Sequence, residues 1–189
     1  ESLVSGFPDM AFDLAVALPC VTTVIDPSGD LFQECLKAAK IVGRDFPHLR
    51  TVDPNASSDP WESEDDIPEE AFGLVDLTRE AASQGVVLSM ENSGQSIHSM
   101  KILVDAIRSR LPSEEANYIG LCPDPTNQLR RLPDSDPLSE LDELPLDMIK
   151  IVHFKQARGG EAYHSVDTGD LDCKKMLTIL EEKGYSGAA

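Results

Sequence analysis

Three residues that commonly bind metal ions lie at the ends of apolar segments of strand length. Glu91 follows VVLSM, Asp124 ends YIGLCPD, and His153 follows IKIV. Side chains at the carboxyl ends of the strands in a β/α barrel converge on one mouth, where barrel enzymes keep their active sites. Two carboxylates and an imidazole suit Mg²⁺, Mn²⁺, Co²⁺ or Zn²⁺, and the oxygen-rich character favours the harder ions. The pattern predicts a divalent-metal site at Glu91, Asp124 and His153.

Each of the three residues also has an ordinary structural explanation. An acid directly after a strand is often a helix cap or a solvated loop residue. His153, between Val152 and Phe154, could be a hydrogen-bonded core histidine. The recurrence of such residues on successive strands favours the metal site. If the site forms, we expect the three ligand atoms to meet around one point. Without an ion, repulsion between the carboxylates should raise the pKa of at least one.

Strand-like and helical patterns alternate along the chain, as they do in parallel β/α architecture. The sequence predicts five parallel strands, adjacent in chain order, near residues 20–25, 48–52, 86–90, 118–122 and 148–155. It predicts helices near residues 30–43, 68–84, 96–111, 136–144 and 173–182. The glycine-rich phosphate-binding turns of doubly wound nucleotide-binding sheets do not occur, so a barrel is favoured.

Chain length limits how much of a barrel can be present. An eight-stranded barrel takes about 250 residues, whereas this chain has 189 residues and begins with Glu. The final GYSGAA leads toward a further strand. We therefore expect a single domain over residues 1–189, an α/β (β/α)8 TIM barrel that is truncated at both ends and contains about five of the eight strands.

Composition restricts the partners. The chain has 34 acidic and 16 basic residues and a net charge of −18, which opposes binding to nucleic acid. Its first residues show neither the basic nor the apolar region of a signal peptide, and no apolar run reaches the ~18–20 residues that span a bilayer, so no membrane association is predicted. The four cysteines form no CxxC pair, which predicts a reducing compartment and a cytoplasmic location. The sequence leaves open whether the chain forms a homo-oligomer.

Four motifs, in order, resemble the xylose-isomerase-like TIM-barrel superfamily of sugar isomerases and epimerases. MENSG, GLCPDPTNQ and KIVHFKQ resemble three successive strand ends of that superfamily, and HSVDTGDLDCKKMLTILEEKGYSG resembles the loop, helix and strand entry that follow. The resemblance covers most of residues 68–189. It implies that Glu91, Asp124 and His153 are metal ligands and that Glu91 also moves a proton. It places a fourth carboxylate ligand beyond Ala189.

Four further residues are candidates for substrate binding. Asn127 stands where the superfamily commonly has a substrate-binding His. Arg158 could bind a hydroxyl or phosphate of the substrate, or be a solvated loop residue. Arg50, within the strand HLRTV, is either a substrate contact or part of a buried ion pair. His164 either reaches the barrel mouth or lies on a surface loop.

The resemblance implies an isomerase or epimerase of carbohydrate metabolism that uses a divalent ion. Its substrate would be a sugar or hydroxy ketone, and proton transfer next to the carbonyl would proceed through an enediolate. Elimination from the same enediolate is equally accessible. A non-catalytic barrel or partner-binding subunit stays an alternative, because Asn127 and Gln156 replace a His and an Asp that are common in the superfamily. The superfamily's endonuclease branch is disfavoured by the acidic charge and by a total of only four histidines. Without the fourth ligand, this chain alone is predicted to be inactive.

Overall fold

The computed structural model describes residues 5–7, 9–10, 12–55, 57 and 59–189. Its strands are β1 (Leu14–Ala17), β2 (His48–Val52), β3 (Val87–Glu91), β4 (Ile119–Cys122), β5 (Gln156–Arg158) and β6 (Glu161–Tyr163). Its α-helices are α1 (Asp30–Gly43), α2 (Leu74–Ser83), α3 (Ile97–Arg108), α4 (Ser113–Ala116), α5 (Pro125–Arg131), α6 (Pro137–Glu143) and α7 (Cys173–Glu182). Short 3₁₀ helices cover Glu64–Asp66, Glu69–Gly73 and Leu146–Met148.

A parallel four-stranded sheet forms the centre of the fold. Its strand order is β1-β2-β3-β4, and each neighbouring pair is parallel. Helices connect these strands, as right-handed crossovers of parallel sheets require. Of the five predicted strands, those near residues 48–52, 86–90 and 118–122 are confirmed as parallel and adjacent in chain order. The fold is an α/β barrel that is incomplete over the described residues.

The first strand does not lie where the sequence predicted it. Residues 20–25 form a turn and an irregular segment, and β1 lies earlier, at Leu14–Ala17. The carboxylate of Asp53 accepts hydrogen bonds from the backbone N–H groups of Val21 and Thr22, at 2.8 and 2.9 Å. These bonds to a distant residue hold the β-branched segment outside the sheet. The local strand preference is therefore overridden by a tertiary contact.

The predicted fifth strand follows the expected path but pairs poorly. Ile149 forms a single parallel bridge with Leu121, and the Lys150 N–H donates to the Leu121 carbonyl at 2.9 Å. The next residue that should donate from β4 is Pro123, which has no N–H. The ladder therefore stops there, and the His153 N–H donates to the Pro123 carbonyl at 3.0 Å. This last bond still places His153 beside the carboxyl end of β4.

Strand register separates a polar face of the sheet from an apolar face. The register pairs Arg50 with Ser89, Ser89 with Gly120, and Glu91 with Cys122. Paired residues of parallel strands point to the same side, and alternate residues point to opposite sides. These residues therefore share the interior face of the incomplete barrel. The intervening residues are buried in the core with the helices: Leu49, Leu88, Met90, Ile119 and Leu121.

Most predicted helices are present, and two elements near the site were not predicted. Asp124 caps α5 by accepting from the Asn127 N–H, just as Asp136 caps the predicted α6. Strands β5 and β6 form an antiparallel hairpin whose turn residues Gly159 and Gly160 have φ of 60° and 82°. A two-residue turn with two positive φ angles favours glycine. In the described part of the chain, no helix is both long and apolar enough to cross a membrane.

Candidate active site

Glu91 is the last residue of β3, and its carboxylate is held from three sides. It is 8% exposed, and its Oε2 forms an ion pair with Arg50. Its Oε1 accepts a hydrogen bond from the Asn127 side chain at 2.8 Å and lies 3.5 Å from Nδ1 of His153. Burial raises the pKa of Glu91, but the hydrogen bond and charge of His153, with the charge of Arg50, outweigh it, so the pKa lies below its usual value. Glu91 is therefore ionised at neutral pH.

Asp124 lies two residues after the end of β4 and is fully buried. Its Oδ1 caps α5, and its Oδ2 lies 2.8 Å from Nδ1 of His153 and 2.6 Å from Nζ of Lys155. Burial raises the pKa of Asp124, but the bonds from His153, Lys155 and the Asn127 N–H together lower it below its usual value. Asp124 is thus both the helix cap and the neighbour of His153 that the sequence suggested.

His153 lies between the two carboxylates. Its hydrogen bonds to Asp124, Cys122 and Glu91 raise the pKa of the ring to about 11, against the effect of burial. The ring is therefore protonated at neutral pH and carries a positive charge that faces both acids. His153 contacts both Glu91 and Asp124. The joint role of the three residues as ligands of one ion stays a prediction.

The expected rise in a carboxylate pKa is wrong, since both Glu91 and Asp124 have lowered pKa values. The expectation considered only the repulsion between the two acids. Protonated His153 lies between them, and Arg50 and Lys155 each contact one of them. Opposite charges at this distance favour the ionised form of each carboxyl.

Cys122 is a potential ligand that the sequence analysis missed. Ligand atoms of Glu91, Cys122 and His153 all lie within 4.8 Å of one another. Burial raises the pKa of the Cys122 thiol, although the hydrogen bond with His153 opposes this effect. No motif in the sequence marks Cys122; the strand register of the structure does, because Cys122 pairs directly with Glu91 across β3 and β4.

Arg50 connects the site to β1. Its Nε lies 3.0 Å from Oδ2 of Asp13, and its Nη1 contacts Glu91. Asp13 also lies 2.7 Å from Nδ1 of His48. The ion pair is the second of the two explanations given for Arg50, and its role in substrate binding stays a prediction. Lys155 and Asp13 were not identified from the sequence. Lys155 is two residues after His153, and residues two apart in an extended segment face the same side.

Asn127 and Asn92 tie the site to α5. The side chain of Asn127 donates to Glu91 directly, and its predicted role in substrate binding stays a prediction. Asn92 bonds to the backbone of Asp124, accepting from its N–H at 2.7 Å and donating to its carbonyl at 3.1 Å. Gln156 is used structurally, because its side chain bonds to the backbone of Leu171 and Ala157.

The two remaining candidates lie on or beside the hairpin. The guanidinium of Arg158 stacks 3.9 Å above the Tyr163 ring and donates to Thr168 at 3.0 Å. The ring of His164 lies 4.6 Å from that of Tyr163. Among the described residues, neither has a hydrogen bond or ion pair with Glu91, Asp124 or His153. Their predicted contact with a substrate stays a prediction.

Three solved structures share the fold at low sequence identity. The zinc-bound IolI protein superimposes with a TM-score of 0.67 at 16% identity, over 99% of this chain and 69% of its own. An L-ribulose 3-epimerase superimposes with a TM-score of 0.61 at 15% identity, over 99% of this chain and 64% of its own. A xylose isomerase domain protein from Planctomyces limnophilus superimposes with a TM-score of 0.55 at 18% identity, over 89% of this chain and 62% of its own. The chain thus spans about two thirds of the length of each.

Comparison at the level of sequence gives a family. A search among curated proteins finds no significant match. The sequence model of the xylose isomerase-like TIM barrel, however, matches residues 26–189. This range contains Glu91, Asp124, His153 and the sheet strands β2 to β4. The match confirms the resemblance of the strand-end motifs, and the chain belongs to the xylose isomerase-like TIM barrel family.

Proposed function

We propose that this chain is part of a metal-dependent sugar isomerase or epimerase and carries three of its metal ligands. The observation that supports this most directly is the contact of His153 with both Glu91 and Asp124 on the interior face, at the carboxyl ends of neighbouring strands. Barrel enzymes carry out their chemistry at that end. The family membership and the likeness to an L-ribulose 3-epimerase support the same reaction class.

The donor atoms fit a divalent cation. Two ligand atoms bound to one ion at about 2.1 Å lie roughly 3–3.5 Å apart. Nδ1 of His153 lies 3.5 Å from Oε1 of Glu91, within this range. It lies 2.8 Å from Oδ2 of Asp124, a hydrogen-bond distance that would lengthen when an ion replaces the His153 proton. We therefore assign Glu91, Asp124 and His153 as ligands of Mn²⁺, Mg²⁺, Co²⁺ or Zn²⁺, with Cys122 in reach. When bound, the ion supplies positive charge that polarises the substrate carbonyl.

Glu91 is the residue that moves the proton in this proposal. Its carboxylate is ionised, and Arg50 and Asn127 fix its orientation. It takes the proton from the carbon next to the carbonyl, and the C–H electron pair forms the enediolate of the substrate. Return of that proton to the neighbouring carbon isomerises the sugar. Protonation of the original carbon from the opposite face epimerises it and requires a second acid.

Exchange of substrate hydrogen with solvent deuterium tests this function. In D₂O with Mn²⁺, the protein extended through a further strand that bears the fourth carboxylate should incorporate deuterium at the carbon next to the carbonyl of at least one member of a ketose panel, whereas the 189-residue chain alone should not. Glu91→Gln keeps the shape but removes the base, so exchange should fall by at least about a hundredfold. Glu181→Gln, on the exposed face of α7, is the matched control and should retain full exchange.

The same experiment distinguishes the non-catalytic alternative. A barrel that only retains the scaffold would bind the ion or a partner without exchanging any substrate hydrogen. Absence of exchange across the panel in the extended protein, when that protein binds Mn²⁺, would therefore reject the proposed function.

A further inference from the structure

A basic cavity adjoins the proposed site. It has a volume of about 420 Å³ and is lined by Ser93, Asn127, Arg130, Arg131 and Gly160. This volume lies within the range of small-molecule pockets. None of the five lining residues is acidic, although the chain has 34 acidic residues. The local charge of the cavity is thus opposite to that of the molecule.

Two lining residues connect the cavity to Glu91. The side chain of Asn127 donates to Oε1 of Glu91 at 2.8 Å, and Asn127 also lines the cavity. The Ser93 N–H donates to the Glu91 carbonyl at 2.9 Å, and Ser93 lines both this cavity and a small void of about 10 Å³ that reaches Glu91. A ligand in the cavity is therefore one side chain away from the carboxylate.

The two arginines have donors to spare. Arg130 uses its Nε to bond to the Gly160 carbonyl at 3.0 Å, which fixes the hairpin turn against the cavity. In the described part of the chain, the side chain of Arg131 has no hydrogen bond or ion pair with another residue. Its planar guanidinium matches the geometry of phosphate and carboxylate oxygens.

We propose that Arg130 and Arg131, with Ser93 and Asn127, form a subsite for the anionic end of the substrate. The substrate class would then be a phosphorylated or carboxylated sugar, with its carbonyl end at Glu91. This inference rests on the proposed function. The alternative explanation is that the arginines only complement the negative end of the α5 dipole, which favours cations in the last helical turn.

Calorimetric titration of the full chain separates these explanations. The probes are D-ribulose 5-phosphate, D-ribulose, D-ribonate and inorganic phosphate, with wild type, Arg131→Gln and Lys174→Gln. Lys174 is exposed on α7 and does not line the cavity, so its replacement removes one positive charge elsewhere. A charge-assisted contact should make the sugar phosphate bind about tenfold to a hundredfold tighter than ribulose. Arg131→Gln should lose about tenfold of that affinity, and Lys174→Gln less than twofold.

The pattern of binding identifies the anionic group. If the sugar phosphate binds more tightly than ribulose and inorganic phosphate also binds, the subsite is one for phosphate. If ribonate binds more tightly than ribulose, the subsite is one for a carboxylate. Equal affinity for ribulose and both charged sugars, equal losses in the two variants, or no binding of any probe would overturn the inference.

Deuterium exchange keeps the two proposals separate. Exchange that depends on Glu91 but is equally fast with ribulose and its phosphate, and equally fast in Arg131→Gln, would leave the function standing and reject the subsite. Phosphate binding that depends on Arg131, without exchange of any sugar, would reject the function and leave an anion site.

Discussion

Charges of opposite sign alternate through the residues around Glu91. Asp13 contacts Arg50, Arg50 contacts Glu91, and Glu91 faces protonated His153, which contacts Asp124. Each acid thus has a basic neighbour on the interior face. Because opposite charges favour ionisation, the acids stay deprotonated although they are largely buried. A metal ion would find both acids already ionised, but it would have to displace the proton of His153.

Asp124 and Cys122 can be separated as metal ligands by substitution. Asp124→Asn removes the charge but keeps a residue that caps helices about as well as Asp. It should weaken Mn²⁺ binding by at least about tenfold, while Cys122→Ala should change it by less than about threefold. Calorimetric titration measures both, with the melting temperature of each variant as the control for folding. Weaker binding in Cys122→Ala than in Asp124→Asn would assign the thiolate as the ligand.

Arg50 should also contribute strongly to stability. Its side chain is 15% exposed and neutralises both Asp13 and Glu91. Arg50→Leu leaves two mostly buried acids without a partner, so unfolding free energy should fall by about 2–4 kcal/mol. Urea denaturation measures this loss. Asp13→Asn in the Arg50→Leu background should recover part of it.

Arg79 supplies the matched control for Arg50. It also pairs with two acids, Asp76 and Glu115, but is 48% exposed. Surface ion pairs contribute little, so Arg79→Leu should cost less than about 1 kcal/mol. Equal losses in Arg50→Leu and Arg79→Leu would show that the interior ion pairs do not stabilise the fold.

At the scale of elements, the strands next to the site were predictable and the outer ones were not. The apolar runs of β2, β3 and β4 pair on both sides or are covered by helices, so their local pattern decides their structure. The segment after Cys20 has the same β-branched pattern but is held by Asp53, a contact between residues far apart in the chain. Sequence periodicity cannot detect such a contact.

The same distinction holds for the site. Glu91, Asp124 and His153 could be found because each follows a strand, and parallel strands end at one edge of the sheet. Cys122 and Lys155 could not be found in this way. To identify them, one must know which residues of neighbouring strands pair and which side of the sheet each faces, and only the pairing of β3 with β4 and of β4 with Ile149 shows this. The helix α5 could have been predicted, because Asp124-Pro125 repeats the cap signal of Asp136-Pro137.

Gly120 allows the segment after Met148 to lie against β4. A Cβ at this position would lie 2.4 Å from the Met148 carbonyl oxygen and 2.6 Å from Cγ of Lys150. Because the first of these is backbone, Gly120→Ala should force the segment that carries His153 away from β4. We expect a loss of about 1–3 kcal/mol in unfolding free energy, measured by urea denaturation, and weaker Mn²⁺ binding.

Gly73→Ala is the control for that substitution. Gly73 has helical backbone angles, with φ of −58°, and a Cβ there would make an ordinary 3.6 Å contact with Val24. Alanine at such a position is neutral or stabilises by up to about 1 kcal/mol. A Gly120→Ala variant as stable as Gly73→Ala, with unchanged Mn²⁺ affinity, would contradict the close approach.

For the molecule as a whole, two electrostatic effects act in opposite directions on acidification. The net charge of −18 makes the folded chain repel itself at neutral pH, and partial protonation relieves that repulsion. The paired carboxyls act the other way, because the pKa values of Asp13, Glu91 and Asp124 are all lowered in the folded state. The balance between the two effects decides how stability depends on pH.

The melting temperature should therefore pass through a maximum below neutral pH. A carboxyl with a lowered folded pKa binds fewer protons in the folded state than in the unfolded state. Its contribution is fully present above the unfolded pKa of about 4 and is lost as the pH falls through the lower folded pKa. We expect the melting temperature to rise from about pH 7 to about pH 5, where repulsion is relieved, and to fall below about pH 4.

Repeating the scan in about 0.5 M NaCl separates the two effects, because salt screens surface repulsion far more than buried pairs. Salt should raise the melting temperature at pH 7 and so reduce its rise between about pH 7 and pH 5. The fall in melting temperature below about pH 4, which is the acid limb of the curve, should persist. A melting temperature that keeps rising to about pH 3, or an acid limb that disappears in salt, would show that the interior ion pairs do not contribute to acid stability.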